Sequence, residues 1–113
     1  MKRLVGRSFL AALFVGLLTS PLFSQPSQDN GNAWFERCRT DTLPCTIYIS
    51  GLLEGMTIQA DLSQQKAQLC ISPGMSRKQL SDIVLAYLQN NPGQRHLPFP
   101  ALVVLALAPH LPC

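Results

Sequence analysis

The sequence predicts an all-α fold: a small, disulfide-stapled bundle of about four helices. Three observations carry this prediction. An apolar face with helical spacing runs through residues 80–88 behind a well-marked N-terminus. Four cysteines, Cys38, Cys45, Cys70 and Cys113, sit in a chain that opens with an export-type leader. Prolines and polar stretches divide the rest into segments of helical length.

The leader comes first. Lys2, Arg3 and Arg7 precede the apolar run FLAALFVGLL at 9–18 and the Pro-containing TSPLFSQPSQ. This is the pattern of a secretory signal peptide, residues 1–24, cleaved after Ser24. The run is too short for a membrane anchor, which needs roughly 18 or more apolar residues, so contact with the membrane is expected only through the signal peptide. Three of the nine Lys+Arg residues lie in this leader, leaving six against the six Asp+Glu of a neutral remainder. Its basic residues are scattered and form no stripe, which excludes nucleic acid as a partner. Residues 25–32, QPSQDNGN, are polar without an apolar period and read as a disordered leader to a domain spanning 33–113.

Within that domain, AWFERCR forms a helical turn that puts Trp34, Phe35 and Cys38 on one side, and TDTLP breaks it. The segment from Pro44 to Ala60 is predicted as a helix, with Pro44 tolerated in its first turn. Tyr48, Leu52 and Met56 share one side of it, with Ile49 and Leu53 beside them. Gly51 and Gly55 each cost about 1 kcal/mol relative to Ala in a helix interior. Their spacing leaves a smooth stripe for close approach of another helix, read here as packing within the chain in preference to a partner surface. A polar connection, DLSQQKAQL at 61–69, follows.

The next helix is the best marked. Ser76 and Gln79 have the spacing of a capping box, and Met75 and Leu80 that of a hydrophobic staple. Leu80, Ile83, Val84, Tyr87 and Leu88 then form one broad apolar face opposite Arg77, Lys78, Ser81, Asp82 and Gln89. NNPG ends the helix. After the loop QRHLPFP, the run ALVVLALA at 101–108 has no polar face and is read as a short buried helix closed by Pro109.

The chemistry-bearing residues are few. Four cysteines in an exported chain form two disulfides, with three pairings available. No C-x-x-C pair occurs, and neither His96 nor His110 has ligand spacing to a cysteine, so neither a metal nor a cofactor is expected. No carboxylate pair or Ser-His arrangement suggests an enzyme.

Taken in order, CTIYISG at 45–51, the C-I-x-P-G-x-S-x-x-Q-L entry at 70–80, YL-x-x-N-P at 87–92, the Ala/Leu/Val-rich helix and the closing L-P-C at 111–113 resemble the Rap/Tai family of type VI secretion amidase immunity proteins. The likeness spans about residues 36–113. Two positions depart from the family's usual pattern: Ile47 stands where a glycine commonly precedes the Tyr, and Glu54 where an Asp is common. The resemblance implies a small helical periplasmic domain, often a homodimer, that has no enzymatic activity. Such a domain binds a peptidoglycan-cleaving amidase effector and blocks its active site. The competing expectation is a periplasmic structural or chaperone-like helical module without an amidase partner.

In such a bundle a helix over 44–60 is about 25 Å long, and the connection at 61–69 can stretch about 30 Å. The chain can therefore return to bring Cys70 near Cys45, leaving Cys38 to clasp Cys113. This pairing is preferred, and Cys38–Cys45 with Cys70–Cys113 is geometrically acceptable too. The expected effector-binding surface is the polar loop with Asn90, Asn91, Gln94, Arg95 and His96, followed by the loop with Gln64, Gln65 and Lys66.

Overall fold

A computed structural model describes residues 29–113; the signal peptide expected at 1–24 lies outside them. Four helices follow one another: α1 Gly31–Thr40, α2 Thr42–Leu62, α3 Arg77–Asn90 and α4 Phe99–Leu107, with a single 3₁₀ turn, Pro92–Gln94, between the last two. No strand occurs among the described residues.

Each helix starts where local chemistry satisfies its free amides. The side chain of Asn30 accepts from Ala33 N at 3.0 Å and that of Asp41 from Leu43 N at 3.0 Å. At α3 the capping box is complete: Ser76 Oγ accepts from Gln79 N at 3.1 Å, and Gln79 Oε1 accepts from Ser76 N at 2.7 Å. Leu80 is buried and Met75 half-buried against the core, as the staple requires. Helix α4 has no side-chain cap and carries prolines at its start instead, where a missing N–H costs nothing.

The core is a contact between one face of each helix. Trp34 and Cys38 come from α1, Cys45, Ile49 and Leu53 from α2, and Leu80, Val84 and Leu88 from α3. Helix α4 supplies Phe99, Leu102, Val103, Ala106 and Leu107, while Leu105 remains 48 % exposed on its other side, so the absence of a polar face in its sequence is not explained by burial alone. Trp34 stacks on Phe99 with ring centroids 4.8 Å apart, and Tyr48 tilts against both. One aromatic cluster thus ties α1, α2 and α4. Thr46 Oγ1 and Ser81 Oγ, 2.9 Å apart, join α2 to α3.

The chain's order corrects three expectations. The disulfides are Cys38–Cys45 and Cys70–Cys113, not the preferred pairing of Cys45 with Cys70 and Cys38 with Cys113. The turn between α1 and α2 is Asp41 alone, so the last turn of α1 meets the first turn of α2 and their cysteines stand 5.1 Å apart at Cα. The later connection lies alongside Leu53, Met56 and Thr57 where it approaches Cys70, about 12 Å along the helix from Cys45. There the amide of Cys70 bonds Leu111 O at 3.1 Å, which brings it beside Cys113. Residues 29–32 are not a disordered leader either. Phe99 N donates to Asp29 O at 2.7 Å, Gly31 N to Leu97 O at 3.0 Å and Asn32 N to Arg95 O at 2.8 Å. Finally, a Cβ added at Gly51 or Gly55 would meet nothing within 4 Å. Among the described residues, nothing therefore packs against the glycine stripe.

Candidate functional site

The loop that leaves α3 is built by its own side chains. Asn91 Nδ2 donates to Tyr87 O at 2.8 Å and so caps the helix's last turn. Arg95 reaches back further, with Nε donating to Leu88 O at 2.6 Å and Nη2 to Gln89 O at 3.3 Å. A cation at a helix C-terminus is favoured by the helix dipole as well as by these bonds. The Arg95 guanidinium also lies over the ring of Phe35 from α1, 3.8 Å from its centroid. Gln94 Oε1 accepts from the Tyr87 hydroxyl at 2.5 Å, and His96 Nδ1 lies 3.0 Å from Gly93 O.

These contacts sort the expected residues. Asn91 and Arg95, half-buried, are braces. Asn90, Gln94 and His96 remain exposed, together with Pro92 and Gly93 between them. From below, the backbone of Asn32 and Gly31 holds the loop through Arg95 O and Leu97 O. A Cβ on Gly31 would fall 2.8 Å from Arg95 O and collide with Leu102 Cδ1. The requirement for glycine there comes from close approach. Sequence reading missed this N-terminal clamp, although Asn30 three residues ahead of an apolar turn is itself a cap signal.

The second expected set lies elsewhere. Gln64 takes a left-handed backbone, φ 54°, and closes α2 with two bonds: its own N–H to Asp61 O, and Gln65 N to Ala60 O at 2.9 Å. This is a Schellman termination with glutamine in the position glycine favours. Gln65 and Lys66 then border a groove of about 450 Å³ along α2, floored by Gly51 and Gly55 and walled by Leu52 and Met56. The two sets form separate surfaces, because Glu54 faces Arg77 while Thr46 faces Ser81. Helix α3 thus runs antiparallel to α2 and carries the 90–96 loop toward the start of α2, away from Gln64.

Tyr48 is the titratable group whose environment most clearly alters it. Burial in the aromatic cluster, and secondarily the carboxylate of Asp29, raise its phenol above the ordinary value of 10.0. No group of three or more His, Cys, Asp or Glu is placed to hold a metal among the described residues. Nor is any helix among them long and apolar enough to cross a membrane.

This architecture defines a class: a small, disulfide-clasped helical domain that presents a braced polar loop. Residues 30–113 match the model of the Rap1a immunity proteins, and the chain belongs to that family. The match begins at Asn30, the cap of α1. No curated protein and no solved structure matches the chain. Family membership carries an immunity role against a secreted toxin effector. Together with the two disulfides it points to a secreted or periplasmic protein.

Proposed function

We propose that this protein is exported through a cleaved signal peptide to the periplasm. There it acts as a homodimer that binds a peptidoglycan-cleaving amidase effector of a type VI secretion system and blocks its active site. The blocking element is the loop around Pro92, with Asn90, Gln94 and His96 facing the effector and Asn91 and Arg95 holding their geometry. The observation that carries this reading is the bracing itself: four of the five polar side chains expected at the surface bond back onto the loop or onto α3. A loop ordered before binding loses little entropy on docking. It also resists being drawn out of shape inside a hydrolase cleft. The groove with Gln65 and Lys66 is a secondary contact.

The test asks whether the reading frame adjacent to this one encodes a cell-wall amidase that the purified protein inhibits. Stoichiometric addition is expected to suppress cleavage of peptidoglycan fragments at least tenfold, and periplasmic co-expression to restore growth arrested by the amidase. Full amidase activity at molar excess sinks the reading. A chaperone-like module is favoured by one observation, the exposed Leu43, Ile47, Ile58 and Leu62 of α2. Suppression of aggregation of unrelated unfolded clients would support that alternative.

A further inference from the structure

Two separate demands of the fold meet at Asn30 and Gly31. Position 30 must cap α1, and its side-chain oxygen accepts from Ala33 N at 3.0 Å. Position 31 must be glycine, because a Cβ there would fall 2.8 Å from Arg95 O. Together they make the only Asn-Gly pair in the chain. Such a pair carries its own chemistry. The backbone nitrogen of the second residue can attack the side-chain amide carbon of the first, and glycine, with no Cβ, hinders that approach least.

We infer that Asn30 is a self-modification site, converting to isoaspartate when the N-terminal clamp over residues 29–32 opens. Gly31 N bonds to Asn30 Cγ and gives up its proton, the bond from Cγ to Nδ2 breaks, and that nitrogen leaves as ammonia. Water then adds to one carbonyl of the resulting cyclic imide. Addition at the backbone carbonyl routes the main chain through Cβ and gives isoaspartate, and addition at Cγ gives aspartate. Water is the only co-reactant.

In the closed fold both reacting groups are occupied. Gly31 N donates to Leu97 O at 3.0 Å, which retains its proton. The Asn30 side chain is turned to Ala33 N, with the backbone extended at φ −89°, ψ 165°. The ring closes only if the backbone between them rotates. That rotation is held off while Phe99 N bonds Asp29 O on one side and Asn32 N bonds Arg95 O on the other. The two products then differ in effect. Aspartate remains a cap and adds a charge that the start of a helix favours. Isoaspartate lengthens the main chain by a methylene inside the clamp, so the bonds at Asp29 O, Leu97 O and Arg95 O fall out of register. The loop above loses its support, and any effect of this on inhibition rests on the loop's role proposed above.

The experiment incubates the exported, oxidised chain at mildly alkaline pH. Peptide mass mapping follows residue 30, with chromatography separating aspartyl from isoaspartyl products. In denaturant Asn30 is expected to convert ahead of Asn32, Asn90 and Asn91, the last of which precedes Pro92 and so has no N–H to attack it. In the folded chain conversion is expected to be at least about a hundredfold slower, the scale set by local opening. Arg95→Ala, which frees the loop above the clamp, is expected to raise the folded rate. Leu69→Ala, at a buried position in the connection after α2, is expected to leave it unchanged. Asn30→Ser keeps a capping oxygen and is expected to abolish conversion. The isolated isoaspartyl chain is expected to unfold at a lower denaturant midpoint than the aspartyl chain. Equal rates in the folded and unfolded chain, or equal acceleration by both Ala variants, overturn the gating by the clamp. Faster conversion of another asparagine in denaturant overturns the assignment to Asn30. An isoaspartyl chain as stable as wild type overturns the consequence for the clamp. These readouts need no effector. Undiminished inhibition by an isoaspartyl chain with a lowered midpoint counts against the loop's role alone.

Discussion

The guanidinium of Arg95 is sandwiched between two elements: its face lies 3.8 Å over the ring of Phe35 in α1, while its Nε donates to Leu88 O at the end of α3. One side chain thereby fixes the exit of α3 relative to α1. Arg95→Ala is expected to cost about 1–2 kcal/mol, the scale of a partly exposed charged hydrogen bond plus a cation–π contact. Arg95→Lys should recover little of it, because an ammonium cannot lie flat on the ring while bonding the same carbonyls. Thermal denaturation measures the stability. If the loop blocks an amidase, inhibition should weaken more than stability does, since the fold survives but the loop is freed.

Gly31 supplies the clamp under the same loop. Gly31→Ala pushes a methyl onto Arg95 O and Leu102 Cδ1, and overpacking of this kind costs about 1–3 kcal/mol. A lower denaturation midpoint with unchanged denaturant sensitivity is the expected outcome. Gly51→Ala, which meets no atom, is the control and should stabilise the isolated helix by up to about 1 kcal/mol.

Much of this fold was legible in the sequence, and the rest was not for identifiable reasons. The cap of α3 could be read because Ser76 and Gln79 act on amides a few residues away. Helix α4 could be read as a core helix because ALVVLALA is apolar throughout, although Ala101, Leu105 and Ala108 lie on its exposed side. The disulfide pairing depended on the sharpness of the turn at Asp41, a property of how α1 meets α2. Neither helix encodes it alone. The loop residues were recognisable as polar and surface-lying, yet their division into braces and exposed positions depends on how the loop folds back onto the end of α3 and on the approach of Phe35 to Arg95, which is distant in sequence. The glycine strip was seen, and only the fold showed that it faces outward.

The Schellman turn offers a prediction of opposite sign. Gln64 holds φ 54°, a conformation costing a side-chain-bearing residue about 1–2 kcal/mol. Gln64→Gly removes that strain against some loss of unfolded-chain entropy, leaving an expected gain of about 0.5–1 kcal/mol by chemical denaturation. Gln64→Val should destabilise, because a β-branched residue fits this conformation worst.

The two bridges should contribute unequally. In the chain-entropy view, the 43-residue separation of Cys70 and Cys113 corresponds to about 4 kcal/mol and the 7-residue separation of Cys38 and Cys45 to about 2.4 kcal/mol. The shorter bridge is buried in the core, however, whereas Cys70 and Cys113 are exposed. A mild reductant should therefore open Cys70–Cys113 first, releasing the end of the chain while Cys38–Cys45 stays closed. Timed thiol labelling with mass mapping follows the order of opening, and labelling of Cys38 ahead of Cys113 would contradict the burial argument.

The pH response follows from Tyr48. Its phenol is held above 10.0 by burial and by Asp29, so between pH 10 and the raised folded value the folded state keeps a proton that the unfolded chain has lost. The associated stability is complete below pH 10 and declines as pH rises through the folded value. Tyr48→Phe keeps the ring packed between Trp34 and Phe99 and removes the ionisation. The expected result is unchanged helicity at neutral pH and a shallower loss of stability above pH 10, measured by denaturation at stepped pH. An equal alkaline slope in the variant would mean that the phenol ionises as freely in the fold as outside it, and that the aromatic cluster does not shield it.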